Sequence, residues 1–261
     1  MPDLSLPAVL VTGGAKRIGA VLSRAFAEAG WHVVIHYGRS AEEAEKLAEE
    51  LPSAEAIHCD LIDSDGAVSM VKSLASRLPN WRALINSAAV FEPDDVTGLD
   101  WRTYRKANII NARTPTMMAQ AYLAHANAPT GKRVIQFTDQ KLENPNPDFF
   151  SYSISKHAMA ASVPMFAMGA GDKADRIYAL APGAILPSHD QTAEETEVSH
   201  RLNLLKRKTS ATEIADACLF LADGQLASGQ TLFIDSGQHL LNQPRDIIYL
   251  AREMVPEGAR A

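Results

Sequence analysis

The stretch Ala8-Val9-Leu10-Val11-Thr12-Gly13-Gly14-Ala15-Lys16-Arg17-Ile18-Gly19 decides how the chain is to be read. Ala8 to Thr12 is apolar at successive positions and too short for a helix, as in a strand buried on both faces. After the glycine turn, Ile18, Val21, Leu22, Ala25, Phe26 and Ala29 recur at helical spacing until Gly30 closes the helix. In such a unit glycine allows close approach of the backbone to a pyrophosphate, and the helix N-terminus offers it free N–H groups. The alternative is a tight turn that uses glycine for geometry alone. The rest of the chain weighs between them.

The alternation continues to the end. His32 to His36, Glu55 to His58, Ala83 to Asn86, Arg133 to Phe137, Arg176 to Leu180 and Thr231 to Ile234 read as six further strands. Between them lie a charged helix over 41–50, opened by Ser40 with Glu43 in the capping-box position, and a helix over about 64–78. A long helical stretch covers 101–126, another runs from Ser151 to about Met168, and a last one is capped by Ser210 with Glu213 three residues on. Strands and helices in this order predict one α/β domain over 1–261, a doubly wound parallel seven-stranded sheet with helices on both faces. In that setting the glycine turn points to a nucleotide.

Bulk composition narrows the classes. The 261 residues are 46% apolar and 21% charged, with a formal charge of −6 and dispersed Lys and Arg, so no basic footprint for nucleic acid is present. Cys59 and Cys218 lie far apart and lack a Cys-x-x-Cys partner, which predicts a reducing compartment and no structural zinc. No signal peptide is read at the N-terminus, and no apolar run approaches the roughly 20 residues of a membrane span. The expectation is a soluble, cytoplasmic protein.

Tyr152 and Lys156 are four apart and share one face of their helix. A fixed ammonium favours an ionised phenol, so this pair predicts a Tyr152 pKa drawn down toward neutrality and a general acid for hydride-transfer chemistry. Which nicotinamide cofactor would serve follows from the second strand. It runs into His36-Tyr37-Gly38-Arg39-Ser40 with no carboxylate before Glu42, where an NAD site usually has Asp or Glu. Arg39 and Ser40 suit a 2′-phosphate, and Arg17 can reach it or the pyrophosphate. NADPH is the predicted cofactor; solvated surface cations are the alternative.

These residues resemble the short-chain dehydrogenase/reductase family from about Ala8 to Gly237. The resemblance rests on the turn bounded by Gly13 and Gly19, Asp60-Leu61 after the third strand, Asn86-Ser87-Ala88-Ala89, Asn111, Tyr152-x3-Lys156 and Pro182-Gly183. It implies a Rossmann-type fold, with Ile18 and these glycine, Asp60, Leu61, Asn86, Ser87, Ala88, Pro182 and Gly183 positions at the cofactor. Two departures narrow it: Arg17 replaces the middle glycine of the turn, and Asp139 stands where the usual Ser lies, thirteen residues before the Tyr. With His36-Tyr37-x-Arg39-Ser40 they are similar to trypanosomatid pteridine reductases and bacterial dihydromonapterin or dihydrofolate reductases of the short-chain type. Ala89 departs from the Ser of the trypanosomatid enzymes.

The resemblance implies hydride transfer from NADPH to a C=N bond of a dihydropterin. Phe91 would stack on the ring, with Arg17 and Leu186 also at the substrate. An Asp in a low-dielectric pocket has a raised pKa and can hold a proton, which suits ring nitrogens. Tyr152 and Asp139 are thus the expected proton-delivery pair, Lys156 holds ribose hydroxyls and Asn111 positions a relay water. Asp139 as a loop-ordering carboxylate and Phe91 as a core aromatic stay open. So do a carbonyl substrate, such as a 3-oxoacyl thioester or sugar ketone, and a non-catalytic NADP-binding sensor.

Three segments remain. Pro187 to Lys208 falls at the family's substrate lid; no metal is expected there, His189 and His200 reading as exposed lid residues. Pro164 is expected to kink the Tyr152 helix, and Gly169 and Gly171 to end it early. The family resemblance implies a homotetramer or homodimer, with that helix at the interface. Leu240 to Ala261 is either a short helix on a neighbouring subunit or a frayed tail.

Overall fold

The computed structural model describes residues 3–188 and 190–256. Its seven strands are β1 (Ala8–Val11), β2 (His32–Tyr37), β3 (Ala54–His58), β4 (Trp81–Asn86), β5 (Arg133–Phe137), β6 (Arg176–Pro182) and β7 (Thr231–Ile234). They form one parallel sheet in the order β3-β2-β1-β4-β5-β6-β7. The strand order reverses between β1 and β4, and the crevice beyond their carboxyl ends is where such sheets place ligands.

The strands are apolar on both faces because each face carries its own core. Val9 and Val11 of β1, Val33 and Ile35 of β2 and Ala83 and Ile85 of β4 share a cluster with Leu22 and Phe26 of α1 (Arg17–Glu28). Leu47 of α2 (Ala41–Glu50) and Ile214 and Leu221 of α8 (Ala211–Asp223) complete that layer. The alternate strand residues Leu10, Val34 and Leu84 face the other layer, with Val71 and Leu74 of α3 (Ser64–Arg77) and Met118 and Tyr122 of α5 (Thr114–His125). Strand period two thus divides a continuous apolar run between two cores. Trp81 and Tyr122 meet edge to face at 4.8 Å, and the Tyr122 hydroxyl donates to Trp81 O at 3.0 Å, so both rings are buried with their polar atoms satisfied.

Local chemistry sets the helix ends. Asp63 accepts the Gly66 N–H at the start of α3, and the Ser210–Glu213 capping box forms at α8. Ser40 makes no side-chain cap at α2, and the Glu43 carboxylate pairs with Lys16 at 2.5 Å. A second capping box, Thr192 with Glu195, opens α7 (Ala193–Ser199) inside the segment read as lid. The expected long helix is α4 (Trp101–Asn108) and α5 joined by a π-helical stretch at Ile109–Arg113 that contains Asn111. Such widened turns redirect side chains, often at functional sites.

α6 (Phe150–Gly169) is continuous through Pro164, which is exposed, and ends at Gly169 as expected. The tail is not frayed over its described part: α9 (Ile247–Met254) packs on α7 of the same chain. Residues 257–261 lie outside the described residues. Among those described, no helix is long and apolar enough to cross a membrane.

Proline at 164 still cannot donate to the carbonyl of Ala160. Pro164→Ala is expected to stabilise the fold by about 1–3 kcal/mol, seen as a higher urea midpoint at unchanged m.

Candidate active site

The glycine turn between β1 and α1 is packed to contact. A Cβ on Gly19 would lie 2.0 Å from Gly13 O, and Gly13 itself has φ +66°. Behind the turn, His36 is buried; its Nδ1 accepts the Gly13 N–H at 3.1 Å and its Nε2 faces Cys59 O at 3.0 Å. That pairing places the ring proton on Nε2, and burial lowers the pKa to about 4, so the ring is neutral. Arg17 holds a left-handed φ of +53° at the first turn of α1, and its guanidinium donates to Pro187 O at 2.9 Å. The turn is thereby tied to the start of the lid segment.

A cleft of about 490 Å³ opens over this turn. Gly13, Arg17, Ile18, Gly19, Ser40, Ser87 and Ala88 line one end, with Pro182 and Gly183 beside them. Other predicted cofactor residues stand back from the cleft. His36 acts from behind the turn, and Arg39 and Asp60 are exposed outside the lining. Leu61 is buried, its carbonyl accepting the Thr114 hydroxyl at 2.8 Å. Asn86 is also buried and donates to Gln136 Oε1 at 3.0 Å and Pro115 O at 3.3 Å, bracing β4 against β5. Ser87 Oγ donates to Thr12 O at 2.5 Å and the Ala88 N–H donates to Thr12 Oγ1 at 3.1 Å, which fixes the floor of the cleft to the glycine turn.

The other end holds the expected pair. Tyr152 donates to Asp139 Oδ2 at 2.7 Å, and Asp139 Oδ1 accepts the Lys141 N–H at 2.9 Å. Asp139 leaves β5 and caps the short 3-10 turn Gln140–Leu142. Burial raises the Asp139 pKa, against the pull of the nearby lysines. The expected lowering of the Tyr152 pKa is not what the geometry produces. Lys156 Nζ donates to Phe137 O at 2.6 Å and lies 5.5 Å from the Tyr152 ring centroid, whereas the carboxyl of Asp139 touches the phenol. Burial and that carboxyl together push the phenol well up, so it stays protonated, and burial brings Lys156 down to about 8.

Supporting residues explain this placement. Asp94 accepts the Ser151 N–H at 3.0 Å and the Ser151 hydroxyl, fastening the start of α6, where Phe149 takes φ +52°. Asn111 does not line the cleft. Its Oδ1 accepts the Val90 N–H at 2.8 Å, and its Nδ2 donates to Val90 O at 2.9 Å and Ser155 Oγ at 3.0 Å. The Asn111 side chain thereby holds the Phe91 loop against the Tyr152 turn.

Phe91 and Leu186 reach the cleft as expected, and one face of Phe91 is stacked on Phe149 at 4.0 Å with its side on Tyr152. His200 also lines the cleft and is buried, contrary to the exposed position expected, and burial lowers its pKa. His189 lies outside the described residues. Sequence reasoning missed Lys141, Asp246, Ile247 and Ile248, which close the cleft at the Tyr152 end. Asp246 before Ile247, Ile248 and Ala251 is an N-cap followed by an apolar stripe, a signal that was there to read. Nothing local marked Lys141.

Comparison with known proteins gives the class. A family model described as enoyl-(acyl carrier protein) reductase matches residues 13–239. The granaticin polyketide synthase putative ketoacyl reductase 2 of Streptomyces violaceoruber is 28% identical over 245 residues, covering 90% of this chain and 97% of that one. The dihydromonapterin reductase of Citrobacter koseri is 24% identical over 237 residues, covering 89% and 96%. The crystal structure of FolM alternative dihydrofolate reductase 1 from Brucella canis, complexed with NADP, superposes with a TM-score of 0.85 at 30% identity, covering 92% and 97%. The chain belongs to the short-chain dehydrogenase/reductase family.

The glycine packing is directly checkable. Gly19→Ala is expected to cost at least about 1–3 kcal/mol by overpacking against the rigid Gly13 carbonyl. Gly38→Ala, whose Cβ would meet Cys59 O at 3.9 Å, should stay within about 0.5 kcal/mol of wild type in the same urea titration.

Proposed function

We propose that this chain is an NADPH-dependent reductase that delivers a hydride and a proton to a C=N bond of a dihydropterin. The observation that carries this reading is the partly buried Asp139 carboxyl, hydrogen-bonded to Tyr152 at 2.7 Å beside an aromatic wall. When bound, NADPH supplies the hydride. The residues present fit the group: the glycine turn would bring backbone against the pyrophosphate, and the N-terminal N–H groups of α1 would face it. Ser40 and Arg39, with Arg17, would hold the 2′-phosphate, and no carboxylate between His36 and Ser40 opposes it. Lys156 would hold the nicotinamide ribose.

The proton side belongs to the chain's own residues. Tyr152 is kept protonated by burial and by Asp139, and Asp139 can itself hold a proton because burial disfavours its ionised form. Reduction of C=N puts the hydride on carbon and needs one proton on nitrogen, which Tyr152 or Asp139 donates while the other keeps the hydrogen bond. A carboxyl can also accept from an N–H or amino group of the ring, which a hydroxyl in that place does less strongly. Arg17, Phe91 and Leu186 are read as substrate contacts. The bacterial dihydromonapterin reductases and the Brucella FolM structure support the reading.

Reduction of a carbonyl, such as a 3-oxoacyl thioester or sugar ketone, is the second reading. It is favoured by the ketoacyl reductase relative at 28% identity, and protonated Tyr152 alone would serve it.

Oxidation of NADPH followed with 7,8-dihydromonapterin, dihydrobiopterin, dihydrofolate and an acetoacetyl thioester separates the two; turnover of the thioester alone overturns the pterin reading. Asp139→Ser is expected to lower pterin turnover at least about 100-fold, leaving NADPH affinity within about twofold. Because the protonated carboxyl is the working form and its pKa is raised, kcat on the pterin should rise as pH falls through that pKa. Asp139→Asn, which is always neutral, should lack this limb in a pH–rate profile.

A further inference from the structure

Lys141 and Asp246 form an ion pair that neither the glycine turn nor the Tyr152–Asp139 pair accounts for. Lys141 Nζ lies 2.6 Å from Asp246 Oδ2, and both side chains are nearly inaccessible, at 5% and 6% exposure. The ammonium also donates to Asn146 Oδ1 and Asp148 O, each at 3.3 Å, and lies 5.3 Å from the Phe149 ring centroid. Asp246 Oδ1 accepts the Ile248 N–H at 3.0 Å and so starts α9. A buried pair of this kind contributes little net stability over apolar residues of the same size; what it does impose is one arrangement of the segments it joins.

The segments joined here are the proton-delivery turn and the C-terminal helix. The backbone N–H of Lys141 holds Asp139 Oδ1, while its side chain holds Asp246, whose neighbours Ile247 and Ile248 line the cleft. Ile248 packs with Phe149 and Tyr152. The remaining ties fall on the same side: the Asp246 N–H donates to Asp148 Oδ2 at 2.8 Å, and Arg245 Nε donates to the same carboxylate at 2.8 Å. Arg252 of α9 then reaches Asp190 at 2.7 Å and Glu195 of α7 at 3.7 Å, so the C-terminal helix and the lid helix are bound together.

We propose that Lys141 and Asp246 are positioning residues: their ion pair latches the C-terminal helix, and with it α7, over the Tyr152 end of the cleft and sets the orientation of Asp139. The cleft's cofactor end is built from the glycine turn and the β4 floor, which the Lys141–Asp246 pair does not contact. The part played in catalysis rests on the reductase reading above; the latch itself does not.

The test uses the full-length chain with Lys141→Met, Asp246→Asn and the conservative Lys141→Arg. Hydrogen exchange at 247–254 is measured beside NADPH affinity and the kinetics of 7,8-dihydrofolate or 7,8-dihydromonapterin reduction. Asp246→Asn keeps an acceptor for the Ile248 N–H, so it carries the test if Lys141→Met does not fold. The expected result is at least tenfold faster exchange at 247–254 in both neutralising variants. KM for the pterin should rise at least tenfold and kcat fall, while NADPH affinity stays within twofold of wild type. Lys141→Arg should remain within threefold of wild type on every readout. Unchanged exchange at 247–254 in the folded neutralising variants overturns the latch, as does NADPH affinity falling in step with the pterin kinetics. If the wild-type chain turns over neither pterin, the reductase reading fails, and the exchange data still decide the latch.

Discussion

Everything at the Tyr152 end of the cleft depends on one partly buried carboxyl. Asp139 has both oxygens engaged, because a carboxyl withdrawn from water loses hydration that protein donors must replace. One oxygen takes the Tyr152 hydroxyl and the other the Lys141 N–H. Those two bonds fix the end of β5 relative to α6 and to the 3-10 turn. The same burial that demands the partners also shifts the titration of all three groups, raising Asp139 and Tyr152 and lowering Lys156. Structure and reactivity at this site therefore share a cause.

The opposite end is governed by steric contact. With a Gly19 Cβ excluded by the Gly13 carbonyl, α1 lies directly on the turn and its N-terminus is aimed at the crevice where β1 and β4 diverge. His36 from β2 and Thr12, just after β1, lock this geometry from behind, the first as a neutral acceptor of an N–H and the second through Ser87 and Ala88. Several residues that look like ligand contacts in the sequence thus serve by holding others. His36, Asn86 and Asn111 are all of this kind: both ring nitrogens of His36, Nδ2 of Asn86 and both amide atoms of Asn111 bond backbone or a neighbouring side chain.

A shared fold leaves substrate choice open, since the relatives include proteins named for ketoacyl groups and for dihydromonapterin. The cleft walls at the Tyr152 end come from parts of the chain far apart in sequence: Phe91, Asp139, Leu186, His200 and Ile248. They are brought to one place by the Asp94 cap on α6, by Arg17 reaching Pro187, and by the ties of the C-terminal helix.

The sequence by itself determined the sheet, the glycine turn and the Tyr152–Lys156 face, because period two, period 3.6 and glycine placement are local signals that a parallel sheet cannot disguise. Its family resemblance also marked Asp139 as the unusual group, because the family's Ser stands thirteen residues before the Tyr. Only the tertiary structure decided what that group does to its neighbours. Lys156 stands beside Tyr152 along the helix, yet the phenol is buried and the carboxyl of Asp139 is the group in contact with it, so the pKa moves up. In the same way α9 and its Asp246 became part of the cleft through an ion pair to a residue 105 positions away, and the π-turn aimed Asn111 at Val90. Charge pairing and burial depend on distances across the fold, and those are set only once the helices have packed.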